Sequence, residues 1–256
     1  MFRTSNPVLA RDIFSRPSGV ASDVMTVQGT VTKTIFLILL TMGTASFSWR
    51  QFYAGADVTP LFAIGAVASI VAFIVIWFRG SAGFITAPLY ALGEGLLLGG
   101  ISAQIEVSYP KYPGLVIQAV ALTFGTLFML LFAYKTRLVR ATQGFRAGIM
   151  AATGAICLVY LVDMILMFCG MRIPFIHESG LIGIGFSLFV VAIAALNLVL
   201  DFDYIERGAQ AGVPKNMEWY GAFGLLVTLI WLYLEILRLL IKLQNGSSRR
   251  SSSVDA

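Results

Sequence analysis

The sequence predicts an all-α fold: a polytopic membrane protein whose spans form a seven-transmembrane-helix bundle. Three observations carry that expectation. The 256 residues are 58% hydrophobic and only 12% charged, whereas soluble domains carry roughly 25% charged residues. Seven apolar stretches fall near 34–50, 60–78, 84–105, 115–134, 147–169, 180–200 and 219–243. Each approaches or exceeds the roughly 20 residues a helix needs to cross a hydrocarbon core about 30 Å thick. Short polar segments separate them and leave no room for a second domain, so 34–243 reads as one transmembrane domain.

Residues 1–33 read as a flexible leader, with Pro7, Pro17, Ser15, Ser18 and Gly19 breaking any apolar pattern. No cleavable signal peptide is expected, because a polar stretch of roughly 30 residues precedes the first apolar run, which would itself direct insertion. The second span ends on Arg79. The third carries Gly93, Gly95, Gly99 and Gly100, the fifth opens with Gly144-x-x-x-Gly148, and the sixth has Gly180, Gly183 and Gly185. Small residues let helices approach closely where lipid gives no hydrophobic drive for association. These faces serve packing within one chain or a dimer contact. Cys157 and Cys169 share the fifth span, where twelve residues rise about 18 Å, too far for a disulfide; both read as small packing residues. The seventh span places Trp219-Tyr220 and Trp231 with Tyr233 near headgroups or inside the bundle. The Ser-rich end, 244–256, reads as a flexible tail.

Orientation follows from Lys and Arg, which favour the cytoplasmic side. One set of polar segments holds eleven: Arg3, Arg11, Arg16, Lys33, Arg79, Lys135, Arg137, Arg140, Arg146, Arg207 and Lys215. The other holds seven, of which Arg238, Lys242, Arg249 and Arg250 belong to the C-terminal end. The N-terminus and the 4–5 and 6–7 loops are therefore expected in the cytoplasm, with the chain in a cell membrane. Seven spans send the C-terminus outward against its own basic residues; six spans plus a re-entrant 219–243 would keep it inside. The net charge of +5 fits orientation and lipid headgroups rather than nucleic acid, since no basic patch interleaved with aromatics lies outside the spans.

The functional clue is the set of acids inside this apolar chain, each costly in hydrocarbon unless it meets a partner or a cavity. Asp201 and Asp203 close the sixth span, and positions two apart diverge by about 200° on a helix. One looks into the bundle and the other toward water or a neighbour. Close carboxylates supply oxygen ligands of the kind Ca²⁺ takes, or a pair with raised proton affinity. Arg79 ends the second span on the same side, so a bridge from it to Asp201 or Asp203 would hold a pore shut until a proton or cation competes. Glu235 stands three residues before Arg238, a spacing that pairs them on one helix. Glu94, between Gly93 and Gly95, has no basic neighbour and serves as an ion or proton site or as a hydrogen-bonded packing acid. Asn197 is the expected partner of Asp163.

Enzyme chemistry is not expected. His177 is the only histidine, beside Glu178 in the 5–6 loop, so neither a histidine metal site nor a triad is available. No phosphate loop, dinucleotide fingerprint or paired CxxC is present.

Several of these residues together resemble a family. The segment Leu200-Asp201-Phe202-Asp203-Tyr204-Ile205-Glu206-Arg207-Gly208, the glycine-rich third span and the ending Leu237-Arg238-Leu239-Leu240 look like the Bax inhibitor (transmembrane Bax inhibitor motif) family across essentially the whole chain. Thr4-Ser5-Asn6-Pro7 and Met25-Thr26 with Gly29-Thr30-Val31 and Lys33-Thr34 resemble a bacterial branch. The resemblance implies a central helix surrounded by the others, and a pH-sensitive Ca²⁺ leak gated by aspartates on spans 6 and 7. Asp201 matches the span 6 aspartate in its Asp-x-x-x-Ile setting, and Arg238 matches the arginine near the end of span 7. Counting back from Arg238 puts the span 7 position at Thr228, whereas matching the local string puts it at Glu235. A helix starting near Asn216 sets Thr228 about 18 Å deep and Glu235 about 28 Å deep, and Asp201 lies nearer Thr228. The second carboxylate is then missing. Asp203 stands in for it, or this branch does not sense Ca²⁺ that way.

The leading expectation is thus a cation leak for Ca²⁺ or H⁺ with no bound cofactor. The alternative is a regulatory partner of other membrane proteins, acting through small-residue faces without ion flux.

Overall fold

The computed structural model describes residues 24–170 and 180–252. They form seven long helices: α1 (Val27–Tyr53), α2 (Thr59–Phe78), α3 (Gly83–Ser108), α4 (Leu115–Lys135), α5 (Gln143–Phe168), α6 (Leu181–Gln210) and α7 (Met217–Ser252), with a 3₁₀ turn at Gly80–Ala82. All seven are long and apolar enough to span a membrane, the last over Met217–Gly246. At 1.5 Å per residue the shortest, α2, reaches about 30 Å, which matches the hydrocarbon thickness. Seven spans, not six and a re-entrant loop, put the two ends of the bundle on opposite faces.

Helix starts have local causes. Thr26 and Thr142 sit extended before α1 and α5, and their hydroxyls accept the backbone N–H of Gly29 and Phe145, satisfying donors that a first turn leaves open. Entry into α4 uses Gly114 in the left-handed region at φ 84°, a conformation glycine adopts without steric cost. The Glu106 carboxylate then accepts the N–H groups of Gly114 and Val116. Asp57 precedes α2 and accepts the Thr59 N–H at 2.9 Å; bonds from Thr59 hold its carboxyl below the ordinary range.

Two boundaries differ from the sequence expectation. Residues 27–33, placed in the flexible leader, form the first turns of α1. Lys33 is a poor candidate for a span read in isolation, but its ammonium is paired with Glu218, which is only 1% exposed on α7. Glu218 also accepts the N–H and hydroxyl of Thr26, both at 2.9 Å. At the other end α7 continues through residues 245–252, assigned to the tail. The leader before residue 24, His177, Glu178 and residues 253–256 lie outside the described residues.

Helix α7 is the centre of the bundle. It packs against α1, α3, α4 and α6, and Leu226, Leu232, Ile236 and Leu237 along it are almost wholly buried. Helix α3 is held between α1 and α2 by close backbone approach. A methyl group built on Gly93 would lie 2.7 Å from the Gly65 carbonyl oxygen of α2. One on Gly95 would overlap Thr41 and Thr44 of α1, and one on Gly99 would overlap the Ala45 carbonyl. Along its length α1 buries Thr30, Thr34, Thr41 and Ser48. The three threonine hydroxyls donate to carbonyls four residues back, which answers polar groups that have no water to turn to.

Helix α5 is the opposite case. Among described residues it packs chiefly on α6 and buries only Ile149 and Ile156. Among the described residues a methyl on Gly144, Gly148, Gly154, Gly180 or Gly185 would meet nothing within 4 Å. Of the glycines of spans 5 and 6 read as packing within the chain or in a dimer contact, Gly183 is buried, and Gly144, Gly148, Gly180 and Gly185 are not packed within the chain. Cys157 and Cys169 are exposed rather than packed.

Candidate functional site

Polar side chains line up along the seam where α5 and α7 meet α6. The register of α7 explains its share. Thr228, Glu235 and Lys242 are seven residues apart, close to two helical turns, so they fall on one face. Helix α6 runs antiparallel beside it and supplies partners in reverse order.

At the end of the seam nearer Val24, Asp203 is bound by two guanidinium groups. Arg146 of α5 reaches its carboxylate oxygens at 3.1 and 3.2 Å, and Arg207, one turn along α6, pairs with the same carboxylate. Next comes Asp201, with Thr228 of α7 beside it. Its Oδ2 is buried with no hydrogen-bond partner. Thr228 in turn bonds the Gly224 carbonyl at 3.2 Å. A cavity of about 380 Å³ touches both aspartates, Arg146, Arg207 and the Gly221–Gly224 turn of α7; a methyl on Gly224 would meet nothing within 4 Å.

Deeper in the bundle, the Asn197 amide donates to the Thr153 hydroxyl at 2.8 Å and to the Ile193 carbonyl at 2.9 Å. Two turns of α7 beyond Thr228, Glu235 is 2% exposed and accepts the Tyr160 hydroxyl at 2.8 Å. Arg238 binds both, at 2.6 Å to Tyr160 and 2.8 Å to Glu235, and lies over the Tyr160 ring. The last member is Lys242, whose ammonium donates to Ser187 Oγ at 2.7 Å and the Gly183 carbonyl at 3.1 Å.

The structure therefore brings together Asp201, Asp203, Thr228, Glu235 and Arg238 along one seam and leaves two expected residues elsewhere. Glu94 lies on α3 near Tyr90 and near Ser69 of α2, where Gly93 brings the backbones close, away from the seam. Arg79 is exposed at the end of α2 and makes no ion pair among the described residues. The expected bridge from Arg79 to Asp203 is replaced by Arg146 and Arg207, which start closer: one is in the first turn of α5 beside α6, the other on α6 itself. Asn197, expected to bond Asp163, bonds Thr153 instead. About ten residues of α5, roughly 15 Å, separate Thr153 from Asp163.

The two aspartates do not share partners. Asp203 is answered by two cations, and among the described residues no group of three or more His, Cys, Asp or Glu is placed to hold a metal ion. Arg146, Tyr160, Thr153 and Ser187 were not singled out in the sequence. Arg146 counts toward the basic loops there, and the hydroxyls of apolar spans carry no signal of facing.

These features define a class: a helical membrane protein with ionisable groups threaded through the depth of its bundle. The match to the family described as Bax inhibitor 1 like runs over residues 6–245, and the chain belongs to that family. Comparison with curated proteins and with solved structures gives no match.

Proposed function

We propose that the protein lets cations, Ca²⁺ or H⁺, pass along the α5–α6–α7 seam with Asp201 as the ion site. The observation that carries this reading is the buried Asp201 oxygen without a hydrogen-bond partner beside a cavity. A buried carboxylate with an unanswered oxygen costs several kcal/mol, and such groups persist where a mobile cation needs them. A hydroxyl and a carboxylate are hard oxygen donors of the kind Ca²⁺ accepts, and a proton needs only the carboxylate.

In this reading Asp203 is a latch rather than a ligand. Its carboxylate ties α5 to α6 through Arg146, and α5 is the least buried helix. A proton or cation taken up by Asp203 weakens that tie and lets α5 shift, opening the seam. Thr228 stands where the resemblance places the second aspartate, so the pair is one acid and one hydroxyl. The basic bias of the loops supports a cytoplasmic N-terminus, and the resemblance to a bacterial branch supports a bacterial cytoplasmic membrane.

A second reading, a membrane-embedded regulatory partner without flux, draws on the open glycine face of α5 at Gly144 and Gly148. Purified protein in liposomes separates them. Ca²⁺ or proton flux above empty vesicles, reduced in Asp201→Asn, supports the leak; vesicles tight at every pH would leave the partner role.

A further inference from the structure

A second cavity, about 1030 Å³, lies beside the seam and touches it at Asp203. It is a groove between α1 and α4 that opens sideways, toward where lipid would be. Ile35 and Leu39 of α1 form one wall, Phe128 and Leu131 of α4 the other, and Phe202 with Leu225 the floor. Ile35, Leu39 and Phe128 are more than half exposed, so the walls are apolar and unfilled.

One end of this groove is charged. Lys135, Arg137 and Arg140 line it where the chain turns from α4 to α5. Arg137 takes φ 59°, a left-handed conformation unusual for a bulky residue. Two acids also line this end, and both are already engaged. Glu206 accepts the Tyr134 hydroxyl and lies beside the Gln210 amide; Asp203 is held by Arg146 and Arg207. Lys135, Arg137 and Arg140 make no ion pair among the described residues. The charged end lies on the same face as Met25, whose N–H bonds Val213 in the α6–α7 turn.

An apolar trough the size of a ligand pocket, ending in three unpaired cations at the membrane surface, has one chemical complement. It fits acyl chains joined to an anionic headgroup. We propose that this groove binds an anionic phospholipid from the leaflet on the N-terminal side, its phosphate against Lys135, Arg137 and Arg140. Basic pockets between transmembrane helices bind such headgroups. The site stands independently of ion flux. Its floor residue Phe202 separates it from Asp201 by one position, which places a bound lipid against the helix that carries the ion site.

Native mass spectrometry of the full chain in detergent tests it, with phosphatidylglycerol and phosphatidylcholine of identical acyl chains as probes. The parent is expected to retain one phosphatidylglycerol at least about tenfold more tightly than phosphatidylcholine. The triple change Lys135→Gln, Arg137→Gln, Arg140→Gln should remove that preference, while Lys111→Gln at the opposite face leaves it intact. Leu131→Trp, which keeps the cations and fills the trough, should lower retention of both lipids. Equal retention of the two lipids by the parent overturns the proposal. So does a preference that survives the triple change, unaltered binding in Leu131→Trp, or displacement of the lipid by glycerol phosphate at lipid-like concentrations, which would mark a site for a soluble anion.

Discussion

Helix α3 meets α1 and α2 backbone to backbone, while α5, α6 and α7 add pairs of polar side chains to their apolar contacts. On the first side Gly93, Gly95 and Gly99 bring main chains so close that no side chain fits between them. On the second side the contacts are Arg146 with Asp203, Asn197 with Thr153, Glu235 with Tyr160 and Arg238, and Lys242 with Ser187. Close-packed main chain has one arrangement, because interiors at crystal-like density resist small displacements. Hydrogen bonds and ion pairs between long side chains can be exchanged for a proton, a cation or water. Helix α7 belongs to both sides, with its apolar faces against α1, α3 and α4 and its polar face on the seam. A fixed half holding a yielding half is a sensible build for a conduit, and the contrast can be tested by making matched changes on each side.

The largest effect is expected where main chains touch. Gly99→Ala places a methyl on the Ala45 carbonyl and should destabilise the protein by about 3 kcal/mol, read as a drop of several degrees in thermal unfolding in detergent. Glu235→Ala breaks a side-chain cluster instead. Removing one partner of a buried pair costs about 3–5 kcal/mol, but Arg238 is 42% exposed and can turn to water, so about 1–2 kcal/mol is expected. The same measurement ranks it below Gly99→Ala. The smallest effect belongs to Gly148→Ala on α5. Nothing lies within 4 Å of the new methyl, and alanine suits a helix better, so a gain of about 0.5–1 kcal/mol is expected. If Gly148→Ala proved as damaging as Gly99→Ala, α5 would be covered by something, and a dimer through that face would be indicated.

Much of this contrast was legible in the sequence, and the part that was not has a physical reason. All seven spans follow from apolar length. The glycines of α3 mark close approach correctly, and the family resemblance, counted back from Arg238, points to Thr228, which lies beside Asp201. The misplaced start of α1 comes from Lys33, whose charge is cancelled by Glu218 a hundred and eighty-five positions away; a window along the chain registers only the penalty. Facing was the harder problem. Spans apolar on all sides carry little periodic signal of which side turns inward, so the sequence does not separate Glu94 and Arg79, which lie off the seam, from Asp203, which lies on it. The open glycines of α5 likewise look the same in sequence as the packed ones of α3. Only the assembled bundle distinguishes them.

The central claim is that Asp201, buried with one unanswered oxygen, governs cation passage while contributing little to the fold. The direct test is Ca²⁺ and proton flux through proteoliposomes across a pH series, for the parent and for Asp201→Asn, which keeps the shape and removes the charge. Flux that varies with pH in the parent, and is both reduced and flattened in Asp201→Asn at a thermal stability equal to or above the parent's, is the predicted result. Equal flux at every pH in the two proteins would contradict it.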